Sequence, residues 1–191
     1  MKRLLVLGAG GHGRSVAEAA LATGQYQVVG FLDDGADIGA RVLGLPVKGR
    51  VSELSHWLAS VDSIIVAIGH NLTRAQLTDT IPEGSLATII HPTSIVAPSA
   101  QIGAGSAIMA GAIIGTSATI GKGVIVNLGA VVDHDGAVLD FGHLGVNASM
   151  AGASRLGRAA WLQCGACLGS GVCVPDGAVV PPGRGLSDWV A

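Results

Sequence analysis

Aliphatic residues recur at every sixth position through the second half of the chain, from Ile90 to Val180. Neither a helix, with about 3.6 residues per turn, nor a strand, with its period of two, produces this spacing. The pattern predicts a coil of three short strands, one hexapeptide per flat face, with the aliphatic side chains pointing inward. Fifteen hexapeptides make five coils. The aliphatic positions are Ile90, Val96, Ile102, Ile108, Ile114, Ile120, Val126, Val132, Val138, Leu144, Met150, Leu156, Leu162, Leu168, Val174 and Val180.

Small residues and glycines mark the corners of this predicted coil. A small or compact residue, such as Ala112 or Ala130, stands four positions after each aliphatic residue, where space near a corner is tight. Glycine often follows the aliphatic residue directly, which predicts turns with unusual backbone angles. Six such glycines are Gly103, Gly115, Gly121, Gly145, Gly157 and Gly169. Over residues 90–180 the repeat resembles that of the hexapeptide acyltransferases, whose left-handed β-helices generally form trimers with acyl-CoA bound between neighbouring prisms.

The first half of the chain has a different pattern, in which short apolar runs alternate with a helical segment. Residues 3–7, 28–32 and 63–68 are predicted strands, and residues 14–22 are a predicted helix. This alternation is typical of a small parallel sheet with helices, an α/β half-Rossmann-like domain. We therefore predict two domains: an α/β domain over residues 1–89, and a left-handed parallel β-helix with a short C-terminal tail over residues 90–191.

A glycine turn joins the first predicted strand to the helix. Gly8, Gly10 and Gly13 satisfy the G-x-G-x-x-G pattern, and an acidic pair, Asp33 and Asp34, follows about 20 residues later. Such a turn brings backbone N–H groups and a helix N-terminus to an anion, and the aspartates can accept hydrogen bonds from a base or ribose. Only half of a dinucleotide fold precedes the repeat. A nucleotide site is thus favoured over an NAD-linked oxidoreductase.

Composition narrows the classes of function. The formal charge is −2 and 13% of the residues are charged, which disfavours nucleic acid as a partner. No apolar run reaches the roughly 20 residues of a membrane-spanning helix, and the N-terminal run is too short for a signal peptide, so we expect a cytoplasmic protein. Cys164 and Cys167 form a C-x-x-C without a second ligand pair, so no metal site is expected.

Unusual polar residues interrupt the repeat between Val132 and His143. His134 suits a general base at neutral pH, and Asp135 or Asp133 can orient its ring and raise its basicity. One coil further along the same face stands Gly152, then Ser170, so the column is nearly bare and can admit the thin pantetheine arm of CoA. His143 lies on another face, and we expect it to meet His134 only across a trimer interface.

Four segments carry a resemblance to one known family: the glycine turn Gly11-His12-Gly13, the strand ending Asp33-Asp34, the strand ending at Gly69, and the β-helix segment Asp133-His134-Asp135. Together they resemble the PglD/NeuD-type nucleotide-sugar acetyltransferases. The resemblance spans nearly the whole chain. It implies His134 as general base with Asp135 beside it, where relatives often have Glu. It further implies that Asn127 contacts the acceptor sugar and that His143 and Gly152 contact acetyl-CoA. The implied contacts of the nucleotide sugar are Gly11, His12, Asp33, Asp34 and Gly69.

The function expected from this resemblance is acetyl transfer from acetyl-CoA to the 4-amino group of a UDP- or GDP-linked sugar by a homotrimer, in a bacterial glycan pathway and without a metal. Two alternatives stay open. One is O-acetylation of a sialic acid-like sugar by the same base, and the other is a non-catalytic binding or scaffold trimer. The segment between Gly69 and Ile90 looks short for the family, and the tail from Pro181 to Trp189 departs from the usual ending.

Overall fold

The structure is a computed structural model that describes residues 1–188. Residues 189–191, with Trp189 of the predicted tail and the end of the predicted second domain, lie outside the described residues. The helices and strands before the repeat are β1 (Lys2–Leu7), α1 (Gly11–Ala22), β2 (Tyr26–Leu32), β3 (Arg41–Val42), β4 (Leu45–Gly49), α2 (Leu54–Trp57), β5 (Ser63–Val66) and α3 (Asn71–Thr78). Short 3₁₀ turns occupy Val51–Glu53 and Glu83–Ser85.

The N-terminal domain is built on a five-stranded sheet in the order β3-β4-β2-β1-β5. Strands β1, β2, β4 and β5 pair in parallel, and β3 pairs antiparallel with β4. The predicted parallel strands and the helix are confirmed, although α1 begins at Gly11, three residues before its predicted start. The β3–β4 hairpin was not predicted, because its two-residue turn, Leu43-Gly44, places a leucine at a positive φ of 52° where Asn or Asp is usual.

Seventeen two-residue strands follow, in three parallel sheets of six, six and five strands that form the faces of the β-helix. The first face holds β6 (Ile89–Ile90), β9 (Ala107–Ile108), β12 (Ile125–Val126), β15 (His143–Leu144), β18 (Trp161–Leu162) and β21 (Val179–Val180). The second face holds β7 (Ile95–Val96), β10 (Ile113–Ile114), β13 (Val131–Val132), β16 (Ser149–Met150), β19 (Cys167–Leu168) and β22 (Gly185–Leu186). The third face holds β8 (Gln101–Ile102), β11 (Thr119–Ile120), β14 (Ala137–Val138), β17 (Arg155–Leu156) and β20 (Cys173–Val174).

The interior of the prism confirms the predicted period of six. Each strand pairs with the strand 18 residues later, as Ile114 does with Val132 and Val132 with Met150. From Ile108 onward the aliphatic residues form one continuous buried cluster with small residues four positions on, such as Ala130 and Ala148. At the open end of the prism Val96 and Ile102 are only partly buried, and Ile90, predicted to point inward, is 39% exposed. Because every rung repeats the same inward position, one sequence rule is enough to fill the core.

The glycines that follow the aliphatic residues serve a purpose other than the one predicted. They do not have positive φ; that conformation falls two positions later, at residues such as Gly105, Gly129 and Asp135. A Cβ on Gly115 would instead lie 2.8 Å from the backbone nitrogen of His134 on the next coil. These glycines are therefore needed for the close stacking of successive corners, and the expectation of unusual backbone angles at these positions was wrong.

The β-helix also extends further than five coils. Gly185–Leu186 forms β22 and pairs with β19, and Leu186 packs against the prism core. The segment after Val180, predicted as a tail, thus begins as a continuation of the prism. At the other end the first strand starts at Ile89, one residue before the predicted start of the repeat.

The two domains share a buried interface along the first face of the prism. Ile89, Ala107 and Met109 of the β-helix belong to the same buried cluster as Leu4 and Val16 of the α/β domain. The first face is therefore covered by the N-terminal domain at its early rungs, which excludes solvent from residues that would otherwise point outward. Among the described helices, none is long and apolar enough to cross a membrane.

Candidate active site

The glycine turn after β1 opens onto a cavity of about 350 Å³ at the carboxyl edge of the parallel sheet. Gly8 has a φ of 104°, and a Cβ on Gly13 would collide with the Gly8 carbonyl oxygen, so this turn requires glycine at both positions. The first turn of α1 carries no acidic residue of its own, and its N–H groups lie at the cavity together with the carboxylates of Asp33 and Asp34. The lining residues are Gly8, Gly10, Gly11, His12, Gly13, Asp33, Asp34, Gly35, Val51, Ala67, Ile68 and Gly69.

The two aspartates at the end of β2 are held by backbone groups. The Asp33 carboxylate accepts hydrogen bonds from the Ala9, Gly35 and Ala36 N–H groups at 2.7–2.8 Å. Partial burial works to raise the pKa of Asp33, but these three hydrogen bonds and the nearby charge of Arg50 together hold it below its usual value. Asp33 therefore shapes the glycine turn, and a ligand would find most of its acceptor positions already used.

Asp34 differs from its neighbour because one of its carboxylate oxygens stays available to the cavity. Its Oδ1 accepts a hydrogen bond of 2.9 Å from the Val51 N–H group, and no described donor binds Oδ2. The side chain is exposed. Of the two predicted aspartates, Asp34 is the one better placed to accept a hydrogen bond from a ligand.

A partly buried histidine, His12, and a buried one, His143, meet where the cavity adjoins the β-helix. The ring centroids of His12 and His143 are 6.5 Å apart, and His143 stacks on Trp161 with a centroid separation of 5.2 Å and an interplanar angle of 13°. Burial, followed by the charge of Arg74, lowers the pKa of His12 to about 4 and that of His143 to about 3, so both rings are neutral at pH 7. His12 Nε2 and both ring nitrogens of His143 are buried without a well-aligned hydrogen bond among the described residues.

Arg74 lies behind this histidine pair and is only 1% exposed. Burial lowers its pKa to about 10, which leaves the guanidinium charged at neutral pH. Neither Arg74 nor Trp161 is predicted from the sequence as a site residue. A local pattern carries no signal for either residue, because a charged side chain on a short helix ordinarily faces solvent and a tryptophan in the repeat ordinarily points outward.

His134 occupies the corner between the second and third faces, directly after β13. Its Nδ1 lies 2.9 Å from Asp135 Oδ2, while its Nε2 is 4.0 Å from Asp133 Oδ2. The hydrogen bond to Asp135 and then the charge of Asp133 raise the pKa of His134 above its ordinary value. With Nδ1 donating to Asp135, Nε2 is the nitrogen left to accept a proton, and the side chain is 59% exposed, within reach of a substrate.

Gly152 lies directly beneath the His134 ring, one coil further along the same corner. A Cβ placed on Gly152 would overlap ring atoms Nε2, Cε1 and Cδ2 of His134. The bare column predicted from the sequence is therefore partly filled by the imidazole itself. Further along the column, the Ser170 hydroxyl donates to the Gly152 carbonyl oxygen at 3.0 Å.

The predicted site residues fall into three places within one chain. Gly11, His12, Asp33, Asp34 and Gly69 surround the cavity, with His143 beside them. His134, Asp135 and Gly152 share the corner between the second and third faces. Asn127 lies at the corner between the first and second faces, where its Oδ1 accepts from the Leu128 N–H group.

The cysteines of the C-x-x-C motif do not converge on a common point. Cys164, Cys167 and Cys173 are free and exposed, and Cys164 lies at a corner whereas Cys167 lies on the second face. In the part of the chain that the structure describes, no group of three or more His, Cys, Asp or Glu side chains is arranged to hold a metal ion.

Comparison with known proteins places these features in context. Residues 3–81 match the family described as the PglD N-terminal domain. The acetyltransferase domain of PglB from Neisseria gonorrhoeae is 36% identical, with a TM-score of 0.92 over 100% of this chain and 94% of that one. Its structure in complex with acetyl coenzyme A matches at 38% identity, with a TM-score of 0.89 over 95% of this chain and 89% of that one.

A histidine-to-alanine mutant of GDP-perosamine N-acetyl transferase from Caulobacter crescentus, in complex with CoA and GDP-perosamine, is 34% identical, with a TM-score of 0.84 over 97% of this chain and 91% of that one. A search of curated proteins gives no significant match. Identity at this level along nearly the full length of both proteins, together with the shared fold, shows that the chain belongs to the PglD/NeuD-type nucleotide-sugar acetyltransferases of the hexapeptide-repeat acyltransferase superfamily.

Proposed function

We propose that this protein transfers the acetyl group of acetyl-CoA to the 4-amino group of a UDP- or GDP-linked sugar, with His134 as the general base. The observation that carries the proposal is the hydrogen bond between His134 Nδ1 and Asp135 on an exposed corner, which leaves Nε2 free as a proton acceptor. The complexes of the relatives with acetyl-CoA, and with CoA and GDP-perosamine, support the same pair of substrates.

The proposed reaction is a direct transfer. His134 Nε2 removes a proton from the sugar amine as the amine nitrogen attacks the thioester carbonyl carbon. The tetrahedral intermediate then collapses: the C–S bond breaks, and the departing thiolate takes up the proton from the imidazolium, which restores the neutral base. Asp135 stabilises the imidazolium that forms between these two steps, because its carboxylate accepts the Nδ1 hydrogen bond throughout.

The nucleotide end of the substrate fits the cavity beside the glycine turn. In this proposal, the N–H groups at the start of α1 bind the diphosphate, and Gly11, His12 and Gly69 contact the nucleotide sugar. Asp34, with one free carboxylate oxygen, accepts a hydrogen bond from the base or ribose. Asp33 acts mainly through the glycine turn that it holds, so its contribution to binding is indirect.

Assembly as a homotrimer is part of the proposal, because one chain separates its functional groups. The cavity adjoins the first face, whereas His134 projects from the corner between the second and third faces. Ile95 and Ile113 are 63% and 38% exposed on adjacent rungs of the second face, an apolar surface that a neighbouring prism would cover. In a trimer, His134 of one subunit can face the cavity of the next.

Acetyl-CoA is proposed to lie between neighbouring prisms. Gly152 and His143 are its proposed contacts, and Asn127 the proposed contact of the acceptor sugar. The ring nitrogens of the neutral His143 lack a well-aligned hydrogen bond among the described residues, which supports this role, since a ligand carbonyl could satisfy a buried N–H group. The cytoplasmic location stays a prediction from the sequence.

The test is a free-thiol release assay with acetyl-CoA against a panel of UDP- and GDP-linked 4-amino sugars. We expect turnover with one amino sugar, its loss in His134→Ala, and unchanged turnover in His56→Ala, which removes an exposed histidine outside the site. The matched sugars with a 4-hydroxyl in place of the 4-amino group are assayed alongside, and turnover with these alone would replace N-acetylation by O-acetylation. Absence of turnover with every sugar would overturn the proposed activity and favour a binding or scaffold role.

A further inference from the structure

The buried guanidinium of Arg74 uses every one of its five N–H donors. Nε donates to the Gly123 carbonyl oxygen at 2.7 Å. Nη1 donates to the Ile68 and Gly69 carbonyl oxygens at 3.0 and 3.3 Å. Nη2 donates to Asn71 Oδ1 and to the Phe141 carbonyl oxygen at 2.9 and 2.7 Å. An arginine has no further donor to offer, so the group is completely satisfied.

The acceptors of Arg74 come from both domains. Ile68 and Gly69 form part of the wall of the nucleotide cavity. Gly123 and Phe141 lie at the same corner of the prism, between the third and first faces, on two successive coils. One side chain therefore ties the cavity wall directly to two rungs of the β-helix.

Asn71 strengthens this connection along the prism. Its Nδ2 donates to the Ala159 and Ala160 carbonyl oxygens at 2.8 and 3.3 Å, one coil beyond Phe141. Arg74 and Asn71 thus span three successive coils. The middle coil leads into His143, two residues after Phe141, so the cavity wall and this histidine are fixed by the same set of hydrogen bonds.

The partners of Arg74 indicate that its role depends on the positions of its hydrogen-bond donors and not on an ion pair. Among the described residues no carboxylate forms an ion pair with it, although burying an unpaired charge is costly. Four of the five acceptors are backbone carbonyls, each at a defined position. A lysine would preserve the charge, but its three donors on one nitrogen cannot reach acceptors spread over two domains.

We propose that Arg74 is a positioning residue: its five-donor fork holds the Ile68–Gly69 wall of the nucleotide cavity at a fixed spacing from the β-helix coil that carries His143. The inference rests on the proposed function, in which this cavity binds the nucleotide sugar. It follows that Arg74 acts on the alignment of the nucleotide sugar with the acetyl donor without touching either substrate.

The test compares Arg74→Lys and Arg74→Met with the parent enzyme, with Arg41→Lys as a matched control on the exposed hairpin. We expect both Arg74 variants to lose roughly 10- to 100-fold in kcat/KM for the nucleotide sugar, because small misplacements of a reacting group have effects of this size. The KM for acetyl-CoA should change less than about twofold, since its proposed contacts lie on the prism. Arg41→Lys should match the parent.

Two outcomes would overturn the proposal. Recovery of parental kinetics in Arg74→Lys would show that charge alone is required. A rise of the KM for acetyl-CoA by the same factor as the KM for the nucleotide sugar, together with a lowered melting temperature, would show a role in stability only. If both Arg74 variants fail to fold, Asn71→Ala decides the question in the same way, because it removes one partner of Arg74 and both links to the next coil while leaving the guanidinium in place.

Hydrogen–deuterium exchange on the substrate-free protein separates this inference from the proposed function. Amides of residues 68–71 should exchange about tenfold faster or more in Arg74→Lys than in the parent, with no change over residues 167–174, which contain no partner of Arg74 or Asn71. Unchanged exchange at residues 68–71 would overturn the positioning role even if the parent acetylates an amino sugar. Faster exchange in a protein without turnover would uphold the positioning role while the proposed activity fails.

Discussion

The histidines of this protein occupy two contrasting regions. At the domain interface, the partly buried His12 and the buried His143 have pKa values lowered to about 4 and about 3, because burial and the charge of Arg74 oppose protonation. At the exposed corner of the prism, Asp135 and Asp133 raise the pKa of His134. The same side chain is kept neutral in one region and prepared to take up a proton in the other.

The contrast follows from the architecture around each residue. The first face of the prism is covered by the α/β domain, so an outward-pointing residue there, such as His143, becomes a core residue. The corner that carries His134 has no such cover, and its carboxylate partners come from the adjacent positions in sequence. Burial is therefore decided by the other domain, whereas the pairing of His134 is decided locally.

The largest expected effect is on catalysis at the corner. His134→Asn should lower kcat by roughly 10³-fold, within the usual contribution of a general base, while the KM values change little. The loss of stability at acidic pH that arises from His12 and His143 should persist, because the interface histidines are untouched. Steady-state kinetics measure the change in kcat, and chemical unfolding at several pH values measures the pH dependence of stability. A loss of kcat below about fivefold would remove His134 from its proposed role.

The second effect is acid sensitivity at the domain interface. A histidine whose pKa is lowered on folding is protonated at a higher pH in the unfolded chain than in the native protein. Between these two pKa values acid therefore favours the unfolded state, so stability falls as the pH drops below about 6.5. Between pH 8 and pH 5, the free energy of unfolding should fall by about 2 kcal/mol for each of His12 and His143.

The variant His143→Phe should remove about half of this fall in the free energy of unfolding between pH 8 and pH 5, because phenylalanine does not titrate and can keep the stacking on Trp161. It also removes two buried ring nitrogens that lack well-aligned partners, so stability at pH 8 should stay the same or increase. Urea unfolding at pH 8 and pH 5 tests both statements. A fall in the free energy of unfolding between pH 8 and pH 5 identical to that of the parent would show that His143 does not cause the acid sensitivity.

A third, smaller effect concerns Gly152, the glycine under the His134 ring. Gly152→Ala places a methyl group where the His134 ring lies, so the ring must move away from its position beside Asp135. We expect kcat to fall roughly tenfold to thirtyfold, because a reacting group displaced by about 1 Å loses much of its efficiency. Gly84→Ala, a substitution into open space, is the control and should be neutral. A kcat of Gly152→Ala equal to that of the parent would contradict the contact between Gly152 and the His134 ring on which this prediction rests.

The smallest expected effect is on the pH–rate profile. Asp135→Asn removes the larger cause of the raised pKa of His134, so the acidic limb of kcat/KM should move to lower pH, with a loss of about threefold to tenfold at the optimum. Asp133→Asn should move the limb in the same direction but less far. A limb that stays in place in both variants would mean that another group titrates.

Prediction from the sequence succeeded where the signal is local. The period of six placed nearly every strand of the prism, and the glycine turn with its aspartates located the cavity. It failed at the β3–β4 hairpin, where Leu43 adopts a conformation that its residue type does not announce. It also misjudged the glycines after the aliphatic residues, because their purpose lies in a neighbouring coil 18 residues away.

The sequence by itself determined the β-helix, the glycine turn and the pairing of His134 with Asp135, because each depends on residues close together in the chain or on a repeat that stacks only one way. The tertiary structure alone decided that His143 is buried beside His12, that Arg74 joins the two domains, and that His134 lies away from the cavity of its own chain. The physical reason is that burial and hydrogen bonding between distant segments depend on which surface covers which, and no local pattern of residues encodes that.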